Sequence, residues 1–297
     1  MASHDASIEG LPNEVCVPIM RIPPLLTFLQ IITSILSPFS TQELLPLASI
    51  NRRIYSVVTH VLHQRLLQAA PLPDNKLILE CYHPSDRLYA PPLACRYQGV
   101  VTVDGPAVDK DAPELSDLRR LYASFRPIFT EENRGPRKGR RRPTEAHPSD
   151  DAAMQDINLD EGELFSQLCA VASLVKEGPR SGLFISHVNM VDCVVRVFRG
   201  WLAAMASKQN YSSQPGSESI IWVGSHNNVG IRFSVAPAPS ERMPLLSGPD
   251  DEPPVHYKLV YEELLIRTSN LLQAVEKSEV QEVATSGKTL VIHGASM

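Results

Sequence analysis

Pro71 and Pro73 divide this chain into two segments with different apolar periods. Proline has no backbone N–H and pushes the residue before it out of helical geometry, so no regular helix crosses Pro71-Leu72-Pro73. On the N-terminal side the apolar residues recur every three or four positions. Leu25, Phe28, Leu29, Ile32, Ile35, Leu36 and Phe39 predict one amphipathic helix, ended by Pro38. Ser40-Thr41-Gln42-Glu43 is a capping-box sequence and opens a second helix carrying Leu44, Leu45, Leu47 and Ala48. Pro46 makes the first turn of that helix irregular and sets its regular part to begin at Pro46 itself. A third helix follows from about Asn51, with Ile54, Val58, Val61 and Leu62 on one side and Tyr55 and Leu66 beside them. The expected result is a three-helix unit over residues 23–70, preceded by a disordered stretch over 1–22. So short a unit buries little apolar surface and needs a partner, either the rest of the chain or another protein.

Beyond Pro73 the pattern becomes strand-like. Lys76 to Tyr82 and Ala94 to Val103 read as strands, and Leu115 to Phe125 as a helix. Residues 127–160 are expected to be a disordered linker, because they carry a basic block followed by acidic residues without apolar periodicity. Leu164 to Lys176 and Leu183 to Val188 form a predicted hairpin about Gly178-Pro179-Arg180-Ser181-Gly182. Val191, Val194, Val195, Phe198, Leu202 and Met205 show helix spacing. Ser219 to Val223 and Val229 to Val235 form a second hairpin, Val255 to Ile266 a further strand that Leu271 to Val275 extends or follows, and Lys288 to His293 a last strand. The predicted fold class is α+β. The helical unit is followed by a β-rich, sandwich-like domain with one or two packed helices, formed by residues 74–126 and 161–297.

Bulk properties exclude several classes. A net charge of -5 argues against general affinity for nucleic acid or anionic membranes. The apolar run Leu25 to Phe39 is shorter than the roughly 20 residues that span a bilayer. Five cysteines with no close pair fit neither a disulfide framework nor a zinc site, so a reducing intracellular setting is expected, nucleus or cytoplasm.

The helical segment resembles the F-box family. Ile35-Leu36-Ser37-Pro38-Phe39-Ser40 stands at that family's Ile-Leu-Ser-x-Leu-Ser core, and Leu44-Leu45 at its Leu-Leu helix. Leu47-Ala48-Ser49-Ile50-Asn51-Arg52-Arg53-Ile54-Tyr55 stands at its turn into the third helix. Phe28 and Gln30 replace the family's proline and acidic residue, and Pro46 interrupts the Leu-Leu helix. The runs LILECYHPSD, GPRSGLFISHVN and VHYKLVYEELLIRTS resemble the C-terminal regions of fungal F-box proteins. The resemblance implies docking of helices at 28–67 to the Skp-type adaptor of a cullin ubiquitin ligase, with a protein substrate held by the C-terminal domain. The adaptor-contact residues it implies are Ile35, Leu36, Phe39, Leu44, Leu45, Ile50 and Tyr55. The competing reading is a β-rich module that binds a ligand or peptide, with the helices as its structural cap.

No phosphate-loop, dinucleotide, nucleophile-elbow or metalloprotease motif occurs, so no enzyme activity, cofactor or metal is expected. Ser225-His226 reads as a hairpin tip, since neighbours in a strand point to opposite faces. His60 and His63 lack a third ligand and read as an exposed helix face; His83 reads as part of a turn. Asp160, Glu161 and Glu163 belong to the charged linker, and Trp201 and Trp222 to the core. The basic run Arg137, Lys138, Arg140, Arg141 and Arg142 is a candidate nuclear-import signal. It has no interleaved aromatics for base stacking.

Overall fold

The computed structural model describes residues 31–87, 90–103, 113–129, 152–178, 183–208, 219–238 and 253–285. The expected disordered N-terminus, the basic run and the predicted strand Lys288 to His293 lie outside the described residues. The chain divides into two compact units: Met1–Gln64 with Asp109–Leu115, and Arg65–Val108 with Ser116–Met297. The division falls inside the third helix, ahead of the proline break, so the last turns of that helix belong to the second unit.

The first unit holds helix α1 (residues 31–36), α2 (Thr41–Leu47) and the greater part of α3 (Arg52–Ala69). Helix α1 stops ahead of Pro38. The capping box forms at α2: the Ser40 amide donates to Glu43 Oε2 at 2.8 Å, and the Glu43 amide donates to Ser40 Oγ at 3.4 Å. These bonds to Ser40 hold the Glu43 carboxyl below its usual range. Contrary to the expected irregular first turn, α2 is regular from Thr41, and Pro46 sits inside its last turn. Near the C-terminal end of so short a helix, proline forfeits only one intrahelical bond. Asn51 starts α3, its Oδ1 accepting from the Ile54 amide at 2.9 Å.

The second unit is built on one antiparallel sheet. Its strands are β1 (Lys76–Tyr82), β2 (Leu93–Thr102), β3 (Leu121–Ile128), β4 (Met154–Leu159), β5 (Phe165–Glu177), β6 (Phe184–Phe198), β7 (Ile220–Val223), β8 (Val229–Pro237) and β9 (Val255–Arg267). The order is β6-β5-β1-β2-β3-β9-β8-β7, with β4 also on β9. Strands β3 and β4 divide β9 between them: β3 pairs with Leu264–Arg267 and β4 with Val255–Val260. Helices α4 (Leu115–Leu118), α5 (Arg199–Lys208) and α6 (Thr268–Thr285) complete the described elements, α4 straddling the division between units. The strands thus form a single continuous antiparallel sheet.

One face of the sheet carries the core. Leu79, Phe125, Leu174, Ile231, Leu259 and Leu264 are fully buried there, joined by Leu202 of α5 and Leu271 and Ala274 of α6. Burying each large side chain stabilises the fold by roughly 1.5–3 kcal/mol. Helix α6 is also held by polar contacts. Ser278 Oγ lies 2.5 Å from Ser186 Oγ on β6, and Lys176 on β5 meets Glu282 at 2.6 Å.

Several expected elements differ. Of the predicted helix Leu115 to Phe125, only Leu115–Leu118 is helical, and Leu121–Ile128 is strand β3. Of the predicted helix from Val191, residues up to Phe198 continue β6 and the helix starts at Arg199. Leu271 to Val275 belongs to α6. The expected linker over 127–160 loses both ends, since Pro127 and Ile128 finish β3 and Met154–Leu159 form β4. In β4 the buried Ile157 and Leu159 alternate with the exposed Asp156 and Asn158, and these polar residues obscure the short apolar row. Both predicted hairpins are present, as β5–β6 and β7–β8.

Candidate functional site

The implied docking residues separate into two groups. Leu44 is fully buried and Leu36 is 8% exposed, so these two are interior. Ile35, Phe39, Leu45 and Ile50 are 58%, 41%, 49% and 60% exposed. A helix of seven residues, α2, therefore presents Leu45 to solvent while its neighbour Leu44 is enclosed. Ile31, also exposed, extends the apolar set along α1. Tyr55 is half-buried, and its hydroxyl accepts from the Leu115 amide at 3.2 Å. Tyr55 is thus an internal tie, which spacing alone cannot reveal because its partner lies 60 positions away.

Chemistry outside this surface is sparse. His60 is exposed as expected, but His63 is buried, and burial together with the nearby His60 lowers its pKa. The described residues contain no cluster of three or more metal-ligating side chains. Ser225 and His226 do meet, Oγ to Nδ1 at 3.1 Å, because both sit in the β7–β8 turn where strand alternation does not apply. Both are exposed to water, the opposite of the enclosed setting that activates a serine. His83 caps the short 3₁₀ turn Pro84–Asp86, its Nδ1 accepting from the Ser85 amide at 3.3 Å. Trp222 is half-buried and packs on Tyr122 with ring centroids 5.3 Å apart.

The sheet unit has two clefts of note. One is lined by Cys81, Leu93, Phe129, Met154, Gln155 and Tyr261, where the Tyr261 hydroxyl donates to Gln155 Oε1 at 2.6 Å. Burial pushes the Cys81 thiol up to about 12 and the Tyr261 phenol well above its usual value. Neither group ionises near neutral pH, so this cleft offers no thiolate or phenolate nucleophile. The other, of about 460 Å³, runs along β1 and β2 past Leu77, Cys95, Tyr97 and Phe125. Burial likewise raises the Cys95 pKa. Both clefts are mainly apolar and suit binding better than acid–base chemistry.

No helix among the described residues is long and apolar enough to cross a membrane. No family model, no curated protein and no solved structure matches this chain.

Proposed function

We propose that the chain is an F-box substrate-recognition subunit of a Skp-cullin-type ubiquitin ligase, without catalytic residues of its own. Its helices at 28–67 bind the Skp-type adaptor, and its sheet domain holds a protein substrate. One observation carries this reading: Ile35, Phe39, Leu45 and Ile50 are exposed on a short helical segment whose Leu36 and Leu44 are enclosed. Large apolar side chains in water favour a partner that covers them, by about 25 cal/mol for each Å² of apolar area. The order of the Ile35–Ser40, Leu44-Leu45 and Leu47–Tyr55 motifs supplies the kind of partner.

The test is binding of the full chain to purified Skp-type adaptor by titration calorimetry. Leu45→Asp and Ile50→Asp alter exposed positions and leave the interior intact, and Val280→Asp is the control at an exposed site on α6. Binding that survives Val280→Asp and is lost in the other two supports the reading. Equal binding in all forms, or none by the wild type, removes it and favours a ligand-binding sheet domain with the helices as a cap.

A further inference from the structure

Strand β6 ends the strand order, and among the described residues no strand pairs with its outer edge. Its ladder with β5 is regular from Phe165↔Phe198 to Ala172↔Val191, so residues 191–198 alternate strictly. Val191, Cys193, Val195 and Val197 face the core side. Asp192, Val194, Arg196 and Phe198 point outward and are exposed, Val194 at 59% and Phe198 at 53%. Arg196 lies over the Phe165 ring at 5.0 Å, which fixes its charge beside this apolar strip. Strand β7 and its turn to β8 come near β6 at Met190 to Cys193, where a Cβ on Gly224 would stand 3.9 Å from Cys193 Sγ, but they form no ladder with β6.

Residues 191–198 form a regular edge with exposed valine and phenylalanine and without proline or lysine, and its two charges, Asp192 and Arg196, are of opposite sign. Its sequence is also self-complementary. If a second β6 pairs antiparallel about Val194, Asp192 of each copy faces Arg196 of the other, twice by symmetry. Val194 then faces Val194, Val191 faces Val197, and Cys193 faces Val195. Shifting the centre to a neighbouring residue sets Asp192 opposite an apolar side chain, so charge selects this register.

From this complementarity we propose that the protein forms a two-fold homodimer through antiparallel β6–β6 pairing centred on Val194, joining two sheets into one. The interface is isologous, as a closed dimer requires. It is independent of the helical docking surface and stands whether or not that surface binds an adaptor.

The test uses the full chain and sedimentation velocity over a concentration series. The wild type is expected to dimerise. Asp192→Arg and Arg196→Asp each place like charges opposite one another twice, and each should weaken the homodimer by roughly tenfold or more. Mixing the two single variants restores opposite charges at both positions, so an equimolar mixture should form heterodimers, visible by native mass spectrometry. The double variant Asp192→Arg/Arg196→Asp should dimerise like the wild type. If Arg196→Asp fails to fold by circular dichroism, Val194→Lys replaces it and should likewise yield monomer. A wild type that stays monomeric up to its solubility limit overturns the proposal. So does a dimer that neither charge variant weakens, or folded single variants that fail to associate on mixing.

Discussion

The guanidinium of Arg232 on β8 is paired with the carboxylate of Glu263 on β9, and the two residues are direct neighbours across the ladder. The same carboxylate accepts from Ser124 Oγ on β3, and Ser124 Oγ lies 3.2 Å from Gln98 Oε1. The pair is largely enclosed, with side chains 21% and 11% exposed, and Arg232 Nε is buried without a hydrogen-bond partner.

A pair of this kind is costly to break and dispensable as a whole. Removing one partner leaves the other charge desolvated and uncompensated. Arg232→Met alone, or Glu263→Leu alone, should therefore destabilise by about 3–5 kcal/mol. The double variant should return close to wild-type stability, because two apolar side chains of similar volume fill the space without a charge. Urea unfolding of the four proteins gives the coupling directly. A double variant no more stable than the single ones would show that the contacts to Ser124 and Gln98, rather than the pair, govern this site.

Gly230 on β8 lies so close to β7 that a Cβ there would stand 2.8 Å from Ile220 Cγ2 and 2.8 Å from carbons of the Trp222 ring. Those groups are held in a small buried cluster with Tyr122 and Leu265 and have little room to retreat. Gly230→Ala should lower stability by about 1–3 kcal/mol through overpacking. Adding Trp222→Leu should recover part of that loss by opening space. Thermal melts of the single and double variants check both statements.

These contacts also mark where the sequence ceases to be readable. The hairpins β5–β6 and β7–β8 and the capping box of α2 were legible because their signals are local. Strand β3 was misread as helix because both of its faces are buried: Tyr122 and Ser124 on one side, Ala123 and Phe125 on the other. Such a strand has no period of two, and Leu118, Leu121, Tyr122 and Phe125 happen to fall at helical spacing. In β6 the same coincidence joins Val191, Val194, Val195 and Phe198, although Val191, Cys193, Val195 and Val197 alternate and the β-branching of the valines favours a strand. At the candidate docking surface the motif names the candidate residues. It could not separate exposed Leu45 from enclosed Leu44, because that depends on packing between helices.

Cys81 keeps some accessible surface, but its thiol is surrounded by protein, and burial pushes its pKa up to about 12. The hydrogen bond with Tyr261 offsets only part of that effect. A thiol reacts as its thiolate, so at pH 8 the folded protein should label at Cys81 roughly a thousandfold more slowly than an unperturbed cysteine. Alkylation followed by peptide mass spectrometry reads the rate at each cysteine. Labelling of Cys81 at the free-thiol rate in native protein would show that this part of the sheet opens readily.

His63 couples the helical unit to pH. Burial, followed by the charge of His60 one turn earlier, lowers its pKa below the usual 6.5. The folded state then binds fewer protons than the unfolded state as pH falls through that usual value. Stability should rise with pH across this window and decline as the solution is acidified from about pH 7.5 toward 5.5. His63→Gln removes the titration and should flatten the curve relative to wild type. Parallel slopes for the two proteins in thermal melts at several pH values would rule out His63 as the source.

Leu44 and Leu45 offer the sharpest separation of folding from docking, since they are adjacent and differ in burial from 0% to 49% exposed. Leu44→Ala removes a fully enclosed side chain and should cost about 2–5 kcal/mol of stability. Leu45→Ala removes an exposed one and should change stability by no more than about 0.5 kcal/mol. If the helical segment docks an adaptor, the order reverses for binding. Leu45→Ala should weaken the complex at unchanged stability, and any binding defect of Leu44→Ala should track the fraction unfolded. Denaturation curves and adaptor titrations on the same two variants distinguish the cases. A Leu45→Ala protein with wild-type stability and wild-type affinity would leave its exposure without a docking role.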